Sequence, residues 1–190
     1  TGGHLFPGQA LAQELTRRGR DIVLMTDERV KRFDSLFPGA DIYAVPSATP
    51  SGKGIAGLVK AAPVLFSGVA KSFGILGRVK PSVVIGFGGY PTLPPLAAAL
   101  LRRIPACVHE QNAVLGRVNR LVGPYVHAIA STFPGPRYLR EADKGKLVLT
   151  GNPVRDAVMQ QADVPYDALG AETRIRLLVF GGSQGARVMA

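Results

Sequence analysis

The feature that most constrains this chain is an alternation. Short runs rich in Val, Ile, Leu and Ala are separated by longer stretches with helical spacing. The runs predict strands at Asp21–Thr26, Asp41–Val45, Ser82–Phe87, Ala106–His109, Ala128–Ser131, Leu147–Thr150 and Arg176–Phe180. Between them we expect helices over Pro7–Arg18 (closed by Gly19), near Pro63–Arg78, over Pro91–Arg103, over Val114–Val122, and from about Pro153. Apolar strands alternating with helices dictate right-handed βαβ crossovers and a buried parallel sheet. The fold class is α/β.

Both ends carry an interrupted version of the same unit. Thr1-Gly2-Gly3-His4 before a Pro7 helix reads as the turn of a βα unit whose strand lies upstream. Leu177-Leu178-Val179-Phe180 leads into Gly181-Gly182-Ser183-Gln184-Gly185, a second strand–turn–helix. The 190 residues then divide into a Rossmann-like domain over 1–155, a linker over 156–175 and the opening unit of a second domain over 176–190. With 46% hydrophobic residues the chain can bury a core, which excludes disorder. The single cysteine, Cys107, excludes a disulfide scaffold or a Cys-rich zinc site and reads as a small buried strand residue. Pro81 to Leu101 is uncharged and long enough to span a bilayer, but its four prolines and Gly-Gly pair exclude one continuous membrane helix. The formal charge of +10 calls for anionic partners.

Glycine occupies three strand-to-helix junctions: Thr1-Gly2-Gly3-His4, Gly86-Phe87-Gly88-Gly89-Tyr90 and Gly181-Gly182-Ser183-Gln184-Gly185. Glycine there admits positive φ and close ligand approach, and the helix that follows offers free N–H groups to an anion. A phosphate-bearing ligand at the carboxyl ends of the strands is the expected occupant. No turn carries the Lys-Ser/Thr of a P-loop. The middle turn has Gly86 and Gly88 but Pro91 where a dinucleotide fingerprint needs its last glycine. No Asp-x-Asp pair exists to clamp a metal on a sugar-nucleotide diphosphate, so helix N-termini are left to stabilise the leaving group.

Five motifs in order carry a resemblance. Thr1-Gly2-Gly3-His4-Leu5-Phe6-Pro7, Gly86-Phe87-Gly88-Gly89-Tyr90, His109-Glu110-Gln111-Asn112, Gly151-Asn152-Pro153-Val154-Arg155 and Gly181-Gly182-Ser183-Gln184-Gly185-Ala186-Arg187 resemble the MurG family of glycosyltransferases. The resemblance implies a GT-B arrangement, with two Rossmann-like domains facing across a cleft. It implies inverting transfer of GlcNAc from UDP-GlcNAc to the MurNAc C4 hydroxyl of lipid I, giving lipid II for peptidoglycan, with no metal and no cofactor. It places the protein peripherally on the cytoplasmic face of the bacterial plasma membrane, with other cell-wall synthesis proteins as further partners. Nearly all of the second, donor-binding domain is missing from these residues, so we expect them to be inactive alone.

The resemblance also distributes roles, each beside a plainer reading. His4 is the first candidate for general base, since a neutral imidazole suits proton removal near pH 7; it also fits a turn cap or phosphate contact. Glu110 is the second candidate; its plain reading is a strand-end carboxylate paired with Arg117 or Arg120. Thr1, Gly2, Gly3, Asn112, Arg155 and Ser183 match positions that contact UDP-GlcNAc. Asn112 also fits a turn and Arg155 a solvated helix charge. Gly88, Gly89 and Tyr90 lie on the acceptor side, with a core aromatic the alternative for Tyr90. His109 and His127 read as structural strand-end residues.

Two rivals come from the residues alone. An NAD-dependent oxidoreductase gains from Glu110, placed where a ribose-binding acid would sit, and loses from Pro91. A nucleic-acid binder gains only from charge; there is no Trp and the five Tyr are scattered, so no nucleic-acid partner is expected. One further pattern points to an anionic membrane. From Ile42 to His109 there is no Asp or Glu, against seven Lys and Arg. Lys60, Lys71 and Arg78 fall within about 20° on a helix, with Leu58, Leu65, Val69, Phe73 and Leu76 opposite them. We expect Lys60, Lys71, Arg78 and Lys80 to meet headgroups while Phe66 and Ile75 dip into the interface.

Overall fold

The computed structural model describes residues 2–27, 34–49 and 55–165. The elements run α1 (Gly2–Arg17), β1 (Val23–Thr26), β2 (Asp41–Ala44), α2 (Ile55–Val79), β3 (Val84–Gly86), α3 (Leu93–Leu101), β4 (Ala106–Glu110), α4 (Arg117–Val122), β5 (Ala128–Ser131), β6 (Leu147–Leu149) and α5 (Asp156–Met159). Short 3-10 turns at Asp34–Leu36, Tyr90–Thr92 and Glu141–Lys146 join them. Every strand expected within the described residues forms, trimmed by one or two residues at some ends. The strand at Arg176–Phe180, the turn from Gly181, Thr1 and Ser183 lie outside the described residues.

All strand pairs are parallel. β3, β4, β5 and β6 make one sheet in that order, with Val84 opposite Ala106, Cys107 opposite Ala128 and Ile129 opposite Leu147. β1 and β2 make a second, with Val23 opposite Asp41. Among the described residues the ladders therefore form two parallel sheets rather than one, and β1 approaches the Tyr90–Thr92 turn instead of pairing with β3. The core forms where α2, α3 and α4 close on the larger sheet. Val108 of β4, Leu96, Ala98 and Ala99 of α3, Leu76 of α2, Val118 and Val122 of α4 and Ile129 of β5 are buried together. Each large aliphatic side chain there contributes roughly 1.5–3 kcal/mol over an exposed position. Cys107 is mostly buried on β4, and burial pushes its thiol above the usual range.

Three helices start two or three residues later than expected, at Leu93, Arg117 and Asp156, and two start earlier. α1 begins at Gly2 rather than Pro7, and α2 begins at Ile55 rather than near Pro63. The first turn of a helix needs no i−4 partners, so Gly2, Gly3 and His4 fit there at little cost. Pro63 removes only the bond that the carbonyl of Val59 would accept, and both residues lie on the exposed side of α2, where water replaces it.

The two sides of α2 also need one correction. Lys60, Lys71 and Arg78 are exposed, as are Lys80 beyond the helix and Phe66, which is 77% exposed. Ile75 is only 2% exposed and packs inward, so it cannot enter a membrane interface. At about 100° per residue it sits about 60° from the lysine row, close enough to the core-facing side for packing to claim it. Leu76 and Val69 join the core, while Phe73 stays partly exposed beneath the Arg102 guanidinium, 3.8 Å from the ring centre. Among the described residues, Val59–Val79 is the one helical stretch long and apolar enough to cross a bilayer, with mean hydropathy 1.3. The Pro81–Leu101 run is instead broken into β3, the Tyr90–Thr92 turn and α3.

Candidate functional site

A cleft of about 230 Å³ opens at the carboxyl ends of β3 and β4, bounded by the start of α1, the Tyr90–Thr92 turn and the start of α4. His4, Gly88, Gly89, Tyr90, Glu110, Asn112, Gly116, Arg117 and Asn119 line it. The catalytic candidates, the acceptor-side residues and Asn112 thus meet at one place. Arg155 does not line the cleft: its guanidinium stacks on Phe6 of α1, 3.9 Å from the ring centre. Next to it Asp156 accepts both 2.8 Å hydrogen bonds from Arg17, tying α5 back to α1.

The glycine turn after β3 has two jobs. A Cβ at Gly86 would lie 2.7 Å from Leu96 Cδ1, so α3 can pack on the strand end only if residue 86 is glycine. Gly88 and Gly89 adopt φ of +88° and +76°, conformations that favour glycine. They also leave room for the imidazole of His4, whose Cε1 would lie 3.3 Å from a Cβ at Gly88 and whose Cδ2 would lie 3.4 Å from a Cβ at Gly89. The N-caps of the Tyr90–Thr92 turn, α3 and α4 make no side-chain capping bond. At α3 no leading group is free, because Leu93 N–H bonds to the carbonyl of Tyr90 and Pro94 and Pro95 have none, whereas the first-turn N–H groups of α4 remain available to a ligand.

Glu110 is 1% exposed and fully engaged. Its Oε1 accepts from the backbone N–H and the Nδ2 of Asn112, both at 3.0 Å, and its Oε2 from Gly116 N–H at 2.8 Å and Asn119 Nδ2 at 2.9 Å. The expected pairing with Arg117 or Arg120 does not occur: Arg117 lines the cleft, and the Arg120 guanidinium lies over the Tyr138 ring at 4.6 Å. Glu110 thereby binds the segment from residue 110 to residue 119 into one unit.

His4 is half-buried, with Nδ1 3.0 Å from Gln111 Oε1. Gln111 reaches back to His109 through two 3.1 Å contacts from Nε2, one to the ring Nδ1 and one to the carbonyl oxygen. His109 Nε2 lies 3.0 Å from the carbonyl of Gly151. His127 accepts a 3.3 Å bond from the backbone N–H of Ala106, away from the cleft. Sequence reasoning missed Gln111 and Asn119 as site residues. Asn119 is 1% exposed and donates to Glu110 and to the carbonyl of His109 at 3.3 Å, while its Oδ1 is buried without a partner. A signal for it existed, because it interrupts the Leu115, Val118, Val122 apolar stripe at a position where a buried side chain is expected.

Three kinds of comparison bear on this site. The profile of the glycosyltransferase family 28 N-terminal domain matches residues 1–131. A UDP-N-acetylglucosamine–N-acetylmuramyl-(pentapeptide) pyrophosphoryl-undecaprenol N-acetylglucosamine transferase of Rhodopseudomonas palustris is 52% identical over 190 residues, covering 100% of this chain and 52% of the relative. Proteins of the same name from Chelativorans sp. and Methylorubrum extorquens are 50% and 47% identical, covering 98% and 100% of this chain and 49% and 52% of theirs. The chain spans about half the length of the curated relatives it matches. In solved structures, the fold is similar to Acinetobacter baumannii MurG (TM-score 0.65, 23% identity, 87% of this chain and 47% of that one). It is also similar to CalG4, the calicheamicin glycosyltransferase (TM-score 0.50, 16% identity, 80% of this chain and 50% of that one). These likenesses establish a parallel-sheet α/β fold of the GT-B kind. Neither an NAD-dependent oxidoreductase nor a nucleic-acid binder is among these likenesses.

Proposed function

Because the chain belongs to glycosyltransferase family 28, we propose that it is the acceptor-side part of an inverting transferase that moves GlcNAc from UDP-GlcNAc to the C4 hydroxyl of lipid I. The names of its relatives support donor and acceptor. The observation that carries the chemistry is His4. Its Nδ1 is held by Gln111, and its Nε2 has no partner among the described residues while the ring lines the cleft. On this reading Nε2 takes the proton of the C4 hydroxyl as that oxygen attacks C1 of GlcNAc. The bond from C1 to the UDP oxygen breaks, configuration at C1 inverts, and charge builds on the diphosphate. Uncapped N–H groups at the start of α4, where Arg117 itself stands, offer positive potential to that charge.

We assign Glu110 to holding the cleft wall rather than to proton transfer, since four donors already occupy its oxygens. Residues 1–155 form the acceptor-side domain in this proposal, with 156–175 as linker and 176–190 opening the donor domain, where Ser183 would contact UDP-GlcNAc together with Thr1, Gly2, Gly3, Asn112 and Arg155. Arg155 would have to leave Phe6 to do so. Membrane docking is assigned to the exposed side of α2, through Lys60, Lys71, Arg78, Lys80 and Phe66.

The test is His4→Ala in the full-length protein, assayed with radiolabelled UDP-GlcNAc and a lipid I analogue. kcat should fall by about 10²–10⁴-fold with little change in KM, as loss of a general base requires. A change confined to KM would make His4 a ligand contact and overturn the assignment.

A further inference from the structure

We propose that Gln111 and His109 are positioning residues that fix the tautomer of His4, placing its proton on Nδ1 and leaving the Nε2 lone pair in the cleft. This deepens the reading of His4 as general base and rests on it. The contacts run from the carbonyl of Gly151 to His109, from His109 to Gln111 and from Gln111 to His4.

The direction of this chain follows from its backbone groups, because a carbonyl oxygen can only accept. The Gly151 carbonyl lies 3.0 Å from His109 Nε2, so that nitrogen carries the ring proton. The Nδ1 of the neutral His109 ring is then an acceptor, and it faces Gln111 Nε2 at 3.1 Å. The second N–H of the same amide points at the carbonyl of His109, also 3.1 Å away. Two acceptors at one end of Gln111 leave no freedom for its amide to flip. Its Oε1 must face His4, 3.0 Å from Nδ1, and an amide oxygen only accepts. Nδ1 of His4 therefore donates, and the opposite nitrogen keeps its lone pair.

The segment is built to hold this arrangement. His109 is 4% exposed, and its ring packs on Phe87 with centres 5.8 Å apart. The His4 ring is confined against the backbone of Gly88 and Gly89. The opposite tautomer would set a lone pair of His4 against a lone pair of Gln111. When Nε2 accepts the substrate proton, the Nδ1–H donor becomes part of an imidazolium, and its bond to Oε1 strengthens as charge-assisted bonds do. Unlike a carboxylate in that place, Gln111 orients the ring while adding no negative charge beside a phosphate-bearing donor.

The experiment uses the full-length protein with ¹⁵N-labelled histidine, the His4 signals being assigned by their loss in His4→Gln. At a pH where the ring is neutral, Nδ1 of His4 should show the shift of a protonated nitrogen and Nε2 that of a bare one. Gln111→Met should move both toward the averaged shifts of free imidazole. It should lower kcat by about 10–100-fold, as loss of an orienting partner does, with KM for UDP-GlcNAc little changed. In a His4→Ala background the same substitution should cost less than twofold, because its effect passes through His4; a merely structural role would cost the same in both backgrounds. A proton on Nε2 in the unmodified protein, or equal cost in both backgrounds, overturns the proposal. Full turnover by His4→Ala, together with the Nδ1–H tautomer in the unmodified protein, would instead remove the general-base reading and leave the positioning contacts standing.

Discussion

Glu110→Gln separates the two carboxylate readings because it keeps shape while removing charge and proton-accepting capacity. The wild-type carboxylate accepts four hydrogen bonds, two at each oxygen. In the variant one end becomes an NH2 group, and whichever end that is meets one backbone N–H and one side-chain amide. The side-chain amide, of Asn112 or Asn119, can turn its oxygen to the new donor; Asn119 would then give up its bond to the His109 carbonyl. The backbone N–H of Asn112 or Gly116 cannot turn. It is left facing a donor, at about 1–3 kcal/mol for an unsatisfied buried group. The remaining bonds weaken from charge-assisted to neutral, at roughly half their strength each. Removing a buried ion returns part of its desolvation cost, which offsets some of that loss. The net expectation is a destabilisation of about 2–4 kcal/mol, readable as a lower urea midpoint. That corresponds to a Tm lower by roughly 4–16 °C in a protein of this size. Turnover of the folded fraction should fall less than in His4→Ala. Unchanged stability together with abolished turnover would refute the reasoning and return the base role to Glu110.

Three other expectations follow from geometry. Gly86→Ala would drive a methyl group against Thr92 and Leu96, where Leu96 Cδ1 is 2.7 Å from the new carbon, and should cost about 1–3 kcal/mol of stability by urea unfolding; a neutral effect would mean that α3 is free to move off the strand. Because burial raises the pKa of Cys107, less thiolate is present at pH 8 than in an exposed thiol, so iodoacetamide labelling should be far slower in the native protein than in urea. Equal labelling rates would contradict the placement of β4. Neutralising Lys60, Lys71, Arg78 and Lys80 together should abolish low-salt sedimentation with anionic vesicles, since each basic residue near such a surface adds about 1 kcal/mol. Replacing buried Ile75 by Val should leave vesicle binding unchanged.

The strands were legible because short apolar, β-branched runs recur between stretches of helical spacing, even at β6, where Val148 and Leu149 are exposed. The helix starts were misread for a local reason. Proline was taken as a boundary at residues 7 and 63, yet both helices run through it, each losing a single backbone bond. Ile75 shows the same limit: helix angle alone placed it beside the lysines, and only the position of the sheet decided that it packs inward. At the site, residue types gave His4, Glu110 and the Gly88–Gly89 turn. They did not give Gln111, because its importance lies in which atoms of His109 and His4 it meets, and those residues are brought together by tertiary folding across 107 positions.

On the proposed function, an acid in the wall of a cleft that receives a diphosphate presents an electrostatic problem, and the structure answers it locally. Glu110 is 1% exposed and surrounded by four N–H donors whose positive ends converge on its oxygens. Two of those donors are backbone groups that introduce the turn at Asn112 and the start of α4. Its charge is therefore spent on internal partners, while Arg117 stands at the cleft on the uncapped start of α4. The neutral amide of Gln111 next to His4 follows the same logic. A carboxylate there would orient the imidazole equally well, but it would repel the proposed diphosphate at close range, where low dielectric makes like charges costly. The site separates orientation, carried by the neutral amide of Gln111, from negative charge, which the buried Glu110 keeps on its four internal donors.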